Sequence, residues 1–505
     1  MSSSNRIAGG LIWTTLGKIV NAAYSFVAVP LLIGFYGKAD YGLIGLALSL
    51  NVYMKLLDMG LGNTNLRYFS NYLAKGEINK VKELFGTCIA FYGFVGIINA
   101  LIIFILSIFA NKIFNVTPDQ AVILRNLMYI IALNAMLRWY TNCFGQLVQG
   151  DEQVGYYSKI GLFGTLISIL VLILTLTLHF PIVLYYALLV FSGFLYTTFF
   201  SVKKICEIVP DISFLPRFSK SMFKEILPYS MNIFSVYLVT WGAENLLPIF
   251  LGIRCDSSEI TDFNIFLTII GFLSFISGSF NTAIFPSVSK AVAVNNREAI
   301  NRVAYQGTKY LSIILCLVTF GFISVSPDFM YMYLGDSFMY LVPWLDLYIL
   351  NNLGNHNAGV AAIIYSGEDI KEITRFCVFS YSFYAISFWF LIPYFGARSV
   401  ALSCTAFNII QMSYYYFYFW PQKVKINARY IFWNDLFPFA LMGSLIAFGL
   451  RQIDLCESHW IQFFVKGGMF VVIYSITILI IINKTEKEFI CSLYFRLLNR
   501  LRLNS

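Results

Sequence analysis

The chain has 505 residues, 58% of them apolar and 12% charged, with a net charge of +9 and a mean hydropathy of +0.72, whereas an ordinary soluble domain is about 45–50% apolar and about 25% charged. That balance excludes a water-soluble protein. Unbroken apolar runs such as Leu162–Leu178 and Phe470–Ile482 exclude a spanning barrel, whose strands alternate over roughly ten residues, so the chain reads as an all-α polytopic membrane protein.

Runs broken by charge clusters, proline or glycine turns predict about fourteen transmembrane helices, near 10–34, 41–58, 84–110, 121–147, 157–178, 181–202, 224–251, 260–286, 304–326, 338–365, 373–394, 398–420, 430–450 and 461–482. Met1–Arg6 is short and polar, and the run behind it lacks a small-residue cleavage site, so it reads as a retained span and not a signal peptide. With the amino end inside, the outer loops hold only Lys38, Lys112, Arg254, Arg398 and Arg451, a bias of about five to one that follows the positive-inside rule and sets both termini in the cytoplasm. The basic residues sit where an anionic inner leaflet attracts them, and no nucleic-acid partner is needed. Each outer loop is too short to fold into a catalytic domain. Nine single cysteines without a C-x-x-C pair indicate neither a disulfide framework nor a metal site.

At an offset of about 222 the chain aligns with itself: Asp40-Tyr41 on Asp262-Phe263, and Asn79-Lys80-Val81 on Asn301-Arg302-Val303. Pro30–Gly34 matches Pro248–Gly252, and Gln149–Glu152 matches Ser366–Asp369, at slightly different offsets. Two parallel six-helix lobes follow, residues 1–220 and 221–425, with two additional helices and a tail in 426–505; parallel repeats of this kind serve rocking alternating access.

Three motifs carry a resemblance. Tyr36-Gly37-Lys38-Ala39-Asp40-Tyr41-Gly42, Asp58-Met59-Gly60-Leu61-Gly62 followed by Arg67 and a basic loop over Asn71–Lys82, and Phe285-Pro286-Ser287-Val288-Ser289 resemble the Wzx-type O-antigen flippases of the multidrug/oligosaccharidyl-lipid/polysaccharide exporter superfamily. The resemblance, spanning roughly residues 10–420, implies a transporter and not an enzyme. It implies that the chain carries polyprenyl-diphosphate-linked oligosaccharide from the inner to the outer leaflet of a bacterial cytoplasmic membrane, with a polysaccharide polymerase and chain-length machinery as partners.

Charged residues within spans cost several kcal/mol unless they face a cavity or a partner. For an anionic head group the candidates are Lys18 with Asn21, Arg138 with Asn142, and Asp58 with Arg67; each also reads as a buried hydrogen bond or ion pair, Asp58 pairing with Lys55 three residues away. Arg125, near a helix end, reads as snorkelling. Coupling to Na+ or H+ needs a carboxylate, for which Glu244, beside Asn245 and four residues before Pro248, comes first and Asp346 second. Asp346 heads a polar stripe with Asn351, Asn352 and His356 that reads equally as interhelical hydrogen bonding. The aromatic run Tyr414–Trp420 reads as an interfacial belt, and Phe489–Leu503 as an amphipathic helix on the inner leaflet. No G-x-x-x-x-G-K-[ST] loop occurs, so no ATP motor of that kind is present. A cation-coupled small-molecule exporter of the same superfamily is the alternative. A membrane polysaccharide polymerase is the third reading.

Overall fold

The computed structural model describes residues 3–52, 58, 61–274, 296–357, 360, 363, 370–454 and 457–481; the side chains of 3–12, 14–15, 50–52, 63, 229, 232–244 and 370–374 are outside that description. Regular structure among the described residues is helical throughout. The first half comprises α1 (Ser3–Tyr36), α2 (Lys38–Val52), α3 (Leu61–Ala74), α4 (Ile78–Ile108), α5 (Pro118–Tyr140), α6 (Asn142–Gly150), α7 (Val154–Leu178) and α8 (Ile182–Ile208). Then come α9 (Lys220–Arg254), α10 (257–274), α11 (Thr308–Leu334), α12 (Val342–Leu350), α13 (Ile370–Phe395), α14 (Ser399–Tyr414), α15 (Phe437–Arg451) and α16 (His459–Ile481). Nine segments among the described residues are long and apolar enough to cross a membrane, one of them, Arg375–Val424, covering two of the predicted spans. The chain is a multi-pass membrane protein.

Local chemistry sets several boundaries. Thr117 and Gln120 close α5 with a reciprocal capping box ahead of Pro118, and Ser219 caps α9 by accepting from Met222 N at 3.3 Å while donating to Glu83 at 2.6 Å. The predicted basic loop after Asp58 is instead α3. Leu61, Thr64, Asn65, Phe69 and Tyr72 bury one face and leave Arg67 exposed on the other; the stripe is amphipathic at helical spacing, yet too polar to signal a span. The predicted helix 304–326 runs on through Pro327 to Leu334.

The described residues divide into two compact units, one of 1–269 with 374–403 and one of 270–373 with 404–505. In the first, α4 packs on α5, α1 on α7 and α3 on α6, and Leu84, Phe85, Phe144, Val209 and Met222 belong to one buried cluster. In the second, α11 packs against α15 and α16 around Phe320, Phe439, Phe470 and Tyr474. Two wide helical turns, Tyr415–Val424 and Ile431–Leu436, lie one after the other ahead of α15. The first takes up most of the aromatic run and differs from the expected belt: Tyr415, Phe419 and Trp420 are buried, while Phe417 is 83% exposed. Such π turns insert an extra residue per turn, and here they redirect part of the run into the core.

Candidate functional site

In the first unit, Arg138 at the end of α5 and Asn142 at the start of α6 share one cavity of about 440 Å³. Its other walls are α7 and α8, through Gly161, Thr165 and Ser168 on one and Gly193, Thr197 and Ser201 on the other. Spacings of three and four residues put each set on one helical face. The two sequence candidates i and i+4 are therefore brought together. Lys18 and Asn21 do not line this cavity and are exposed on α1, and Arg125 is exposed on α5.

Asp58 lies in a different setting. Its Oδ2 accepts from Gly62 N at 3.0 Å, capping α3, and its Oδ1 accepts from the Tyr92 hydroxyl at 2.7 Å. Asn65 extends the network, donating to Tyr92 at 3.3 Å and to Gln146 at 3.0 Å. Lys55 falls outside the described residues, so the paired reading of Asp58 is not addressed by it. Tyr92→Phe removes a donor to a carboxylate in a buried setting and is expected to lower stability by about 2 kcal/mol, measured as a lower thermal midpoint in detergent.

A second feature of the first unit closes one end of the bundle. Lys38 Nζ stands 2.9 Å from both oxygens of Asp262, which is 1% exposed, and Thr261 donates to Lys38 O at 2.5 Å. Glycines let the helices approach: a Cβ on Gly42 would lie 1.9 Å from Ser257 O, and one on Gly45 2.0 Å from Asn264 Nδ2. Further contacts at the same end join Asn115 N to Gly252 O at 2.9 Å and Ala397 N to Glu259 at 2.6 Å. Nearby, burial pushes the Cys255 thiol up to about 11, with the carboxylates of Glu259 and Asp256 adding to the effect. The segments that meet, the starts of α2 and α10, are those paired by the 222-residue offset. Lys38 was visible in the sequence as an outer-loop charge within the Tyr36–Gly42 motif, and Asp262 as a repeat marker; neither pointed to the other.

In the second unit, Asp346 forms an ion pair with Arg451 at the end of α15 and accepts from Ser326 at 2.6 Å. The polar stripe that follows it is bonded to α14: Asn351 donates to Thr405 at 3.1 Å and accepts from Asn408 at 3.0 Å. His356 Nδ1 faces Leu353 O at 2.7 Å and therefore carries the proton, leaving Nε2 to accept from Tyr416 at 2.5 Å. These groups flank a largely apolar cavity of about 820 Å³ with Phe432 and Trp433. The buried pair Lys466–Asp328, 3.3 Å apart, escaped the sequence reading, with His459 2.7 Å from the same carboxylate. His459, Gln462 and Lys466 share one face of an otherwise apolar α16, and that stripe was the available signal. The side chain of Glu244, the motif Phe285–Ser289 and the tail Phe489–Leu503 lie outside the described residues.

No curated protein matches the sequence. Among solved structures, the chain is similar to the lipid II flippase MurJ in an inward closed conformation, with a TM-score of 0.71, 12% identity, and 92% of this chain and 98% of that one covered. It is also similar to a multidrug resistance MATE family transporter of the MOP superfamily in its inward-facing conformation, with a TM-score of 0.62, 13% identity, and 90% and 100% covered. An outward-facing conformation of such a transporter gives a TM-score of 0.52 at 14% identity, with 90% and 98% covered. At these identities the likeness is one of fold. Residues 7–292 match the family described as polysaccharide biosynthesis protein. With more than half of its length matched, the chain belongs to the polysaccharide biosynthesis protein family, and its fold is like those of MurJ and the MATE family transporter.

Proposed function

We propose that the chain flips a polyprenyl-diphosphate-linked oligosaccharide, the repeat unit of O-antigen or a related surface polysaccharide, from the cytoplasmic to the outer leaflet of a bacterial inner membrane by cation-coupled alternating access. The observation that carries this reading is the clasp of Lys38 on Asp262, where repeat-equivalent segments meet through one ion pair and close glycine contacts. The charge bias assigns that end to the outside, so the clasp acts as a seal that breaks to release cargo. Membership of a polysaccharide biosynthesis family supports a glycan as the cargo. Glu244 is the first choice of coupling carboxylate for Na+ or H+, and Asp346, which is paired with Arg451, the second. Lys18, Asn21 and Arg67 are the groups proposed to meet the diphosphate, and a polymerase with its chain-length machinery takes up the flipped unit.

The test is deletion of the gene in its host, with lipid-linked oligosaccharide assigned to a leaflet by a membrane-impermeant sugar-modifying probe. Intact units are expected to accumulate facing the cytoplasm while surface glycan disappears. Normal arrival of units in the outer leaflet would sink the reading. Export of an apolar small molecule is the second reading, favoured by the apolar cavity beside Trp433, and predicts intact surface glycan in the same strain.

A further inference from the structure

The cavity among α5, α6, α7 and α8 has a one-sided hydrogen-bonding wall. Thr165 donates to Gly161 O at 3.3 Å, Ser168 to Gly164 O at 3.2 Å, Thr197 to Gly193 O at 2.9 Å and Thr141 to Leu137 O at 3.4 Å. A hydroxyl has one hydrogen and two lone pairs, so each of these groups has committed its hydrogen to its own helix and has only acceptor capacity left for the cavity they line. Donors stand on the Arg138 guanidinium and the Asn142 amide, the hydroxyls of Tyr157, Thr198 and Ser201 also line the space, and no carboxylate among the described residues does.

Small residues on facing helices ordinarily draw the backbones together. Here they hold a space open instead: a Cβ on Gly161 or Gly193 would meet no atom within 4 Å. The resulting volume, about 440 Å³, falls in the range of about 300–1,000 Å³ usual for small-ligand sites.

A wall of acceptors opposes the oxygens of a diphosphate and matches the O–H donors of a sugar. Arg138 and Asn142 complement the ring oxygen or a carboxylate or acetamido substituent, and the Tyr157 and Phe194 rings supply apolar surface for the C–H face. We propose that this cavity is a subsite for one sugar ring of the transported lipid-linked oligosaccharide, with the diphosphate held elsewhere. The proposal rests on the flippase reading and reassigns Arg138 and Asn142 from the diphosphate to the glycan.

The test compares two lipids on the full-length protein in nanodiscs: the host's polyprenyl-diphosphate oligosaccharide, and polyprenyl diphosphate without sugar. Wild-type protein is expected to bind the glycosylated lipid more tightly. The near-isosteric variant Thr165→Val/Thr197→Val keeps the cavity's volume and loses two acceptors, so it is expected to weaken the glycosylated lipid roughly tenfold and leave the bare lipid unchanged. Gly193→Leu, which fills the space, is expected to abolish the sugar-dependent gain; elution of each variant on size exclusion reports folding, and the valine variant stands alone if the leucine one does not fold. Equal losses for both lipids would put the diphosphate in the cavity, and unchanged binding in the variants would leave it without a ligand; either overturns the proposal. If wild-type protein binds both lipids equally, the subsite fails while the flippase reading survives. If it binds neither, the flippase reading fails and the subsite with it.

Discussion

Replacing Lys466 by methionine is expected to destabilise the solubilised protein by about 3–5 kcal/mol, the usual cost of stranding one member of a buried ion pair. Lys466 and Asp328 are each 4% exposed and 3.3 Å apart. Without the ammonium group, Asp328 depends on His459, whose side chain is 39% exposed and which compensates a carboxylate only in its protonated form. Asp328→Leu strands Lys466 instead, with Asp454 3.8 Å away and 90% exposed, and is expected to cost a similar amount. The double variant Lys466→Met/Asp328→Leu removes both charges and is expected to recover most of the loss, because apolar replacements of a buried pair are often neutral or better. Thermal midpoints in one detergent check all three. Equal midpoints for wild type and Lys466→Met would show that the pair contributes nothing to holding α16.

Gly42→Ala is expected to reduce flipping in proteoliposomes by about tenfold or more. The new methyl group would sit 1.9 Å from Ser257 O and 3.0 Å from Thr261 Oγ1. Since Cβ contacts under 3.0 Å are essentially never seen, α2 and α10 must part by about 1 Å, and the obstructing atom is backbone, which has no rotamer to change. Overpacking of this kind costs about 1–3 kcal/mol, which under the proposed function falls on the form in which Lys38 and Asp262 are paired. The same parting stretches the contact between Lys38 and Asp262. A rate equal to wild type would remove the clasp from the transport path, while loss of rate with an unchanged thermal midpoint would place the effect on the closed form.

Most spans were legible because lipid leaves a backbone no alternative to the helix and demands a long apolar run to clothe it. The boundaries that failed are those where another interaction replaces that demand. Asp58 and Asn65 make α3 stable without an apolar run, and Ser326 and Asp328 find partners that let α11 continue past Pro327. Within the site, Arg138 and Asn142 stood out as polar residues one turn apart. Their cavity did not, because Gly161, Gly164 and Gly193 have the same spelling whether they pack helices together or leave room. Lys38 and Asp262 are 224 positions apart; the repeat marked their segments as equivalent, but equivalence does not say that two segments touch.

Assembly in the membrane inherits a constraint from the Asp328 pair. The carboxylate is separated from Lys466 by 138 positions, so at about 5–20 residues per second it waits roughly 7–28 s after synthesis for its counter-charge to emerge. During that interval the acid near the end of α11 lacks the counter-charge it has in the folded protein. Correct seating of α16 is thereby reported by a charge buried in an earlier helix.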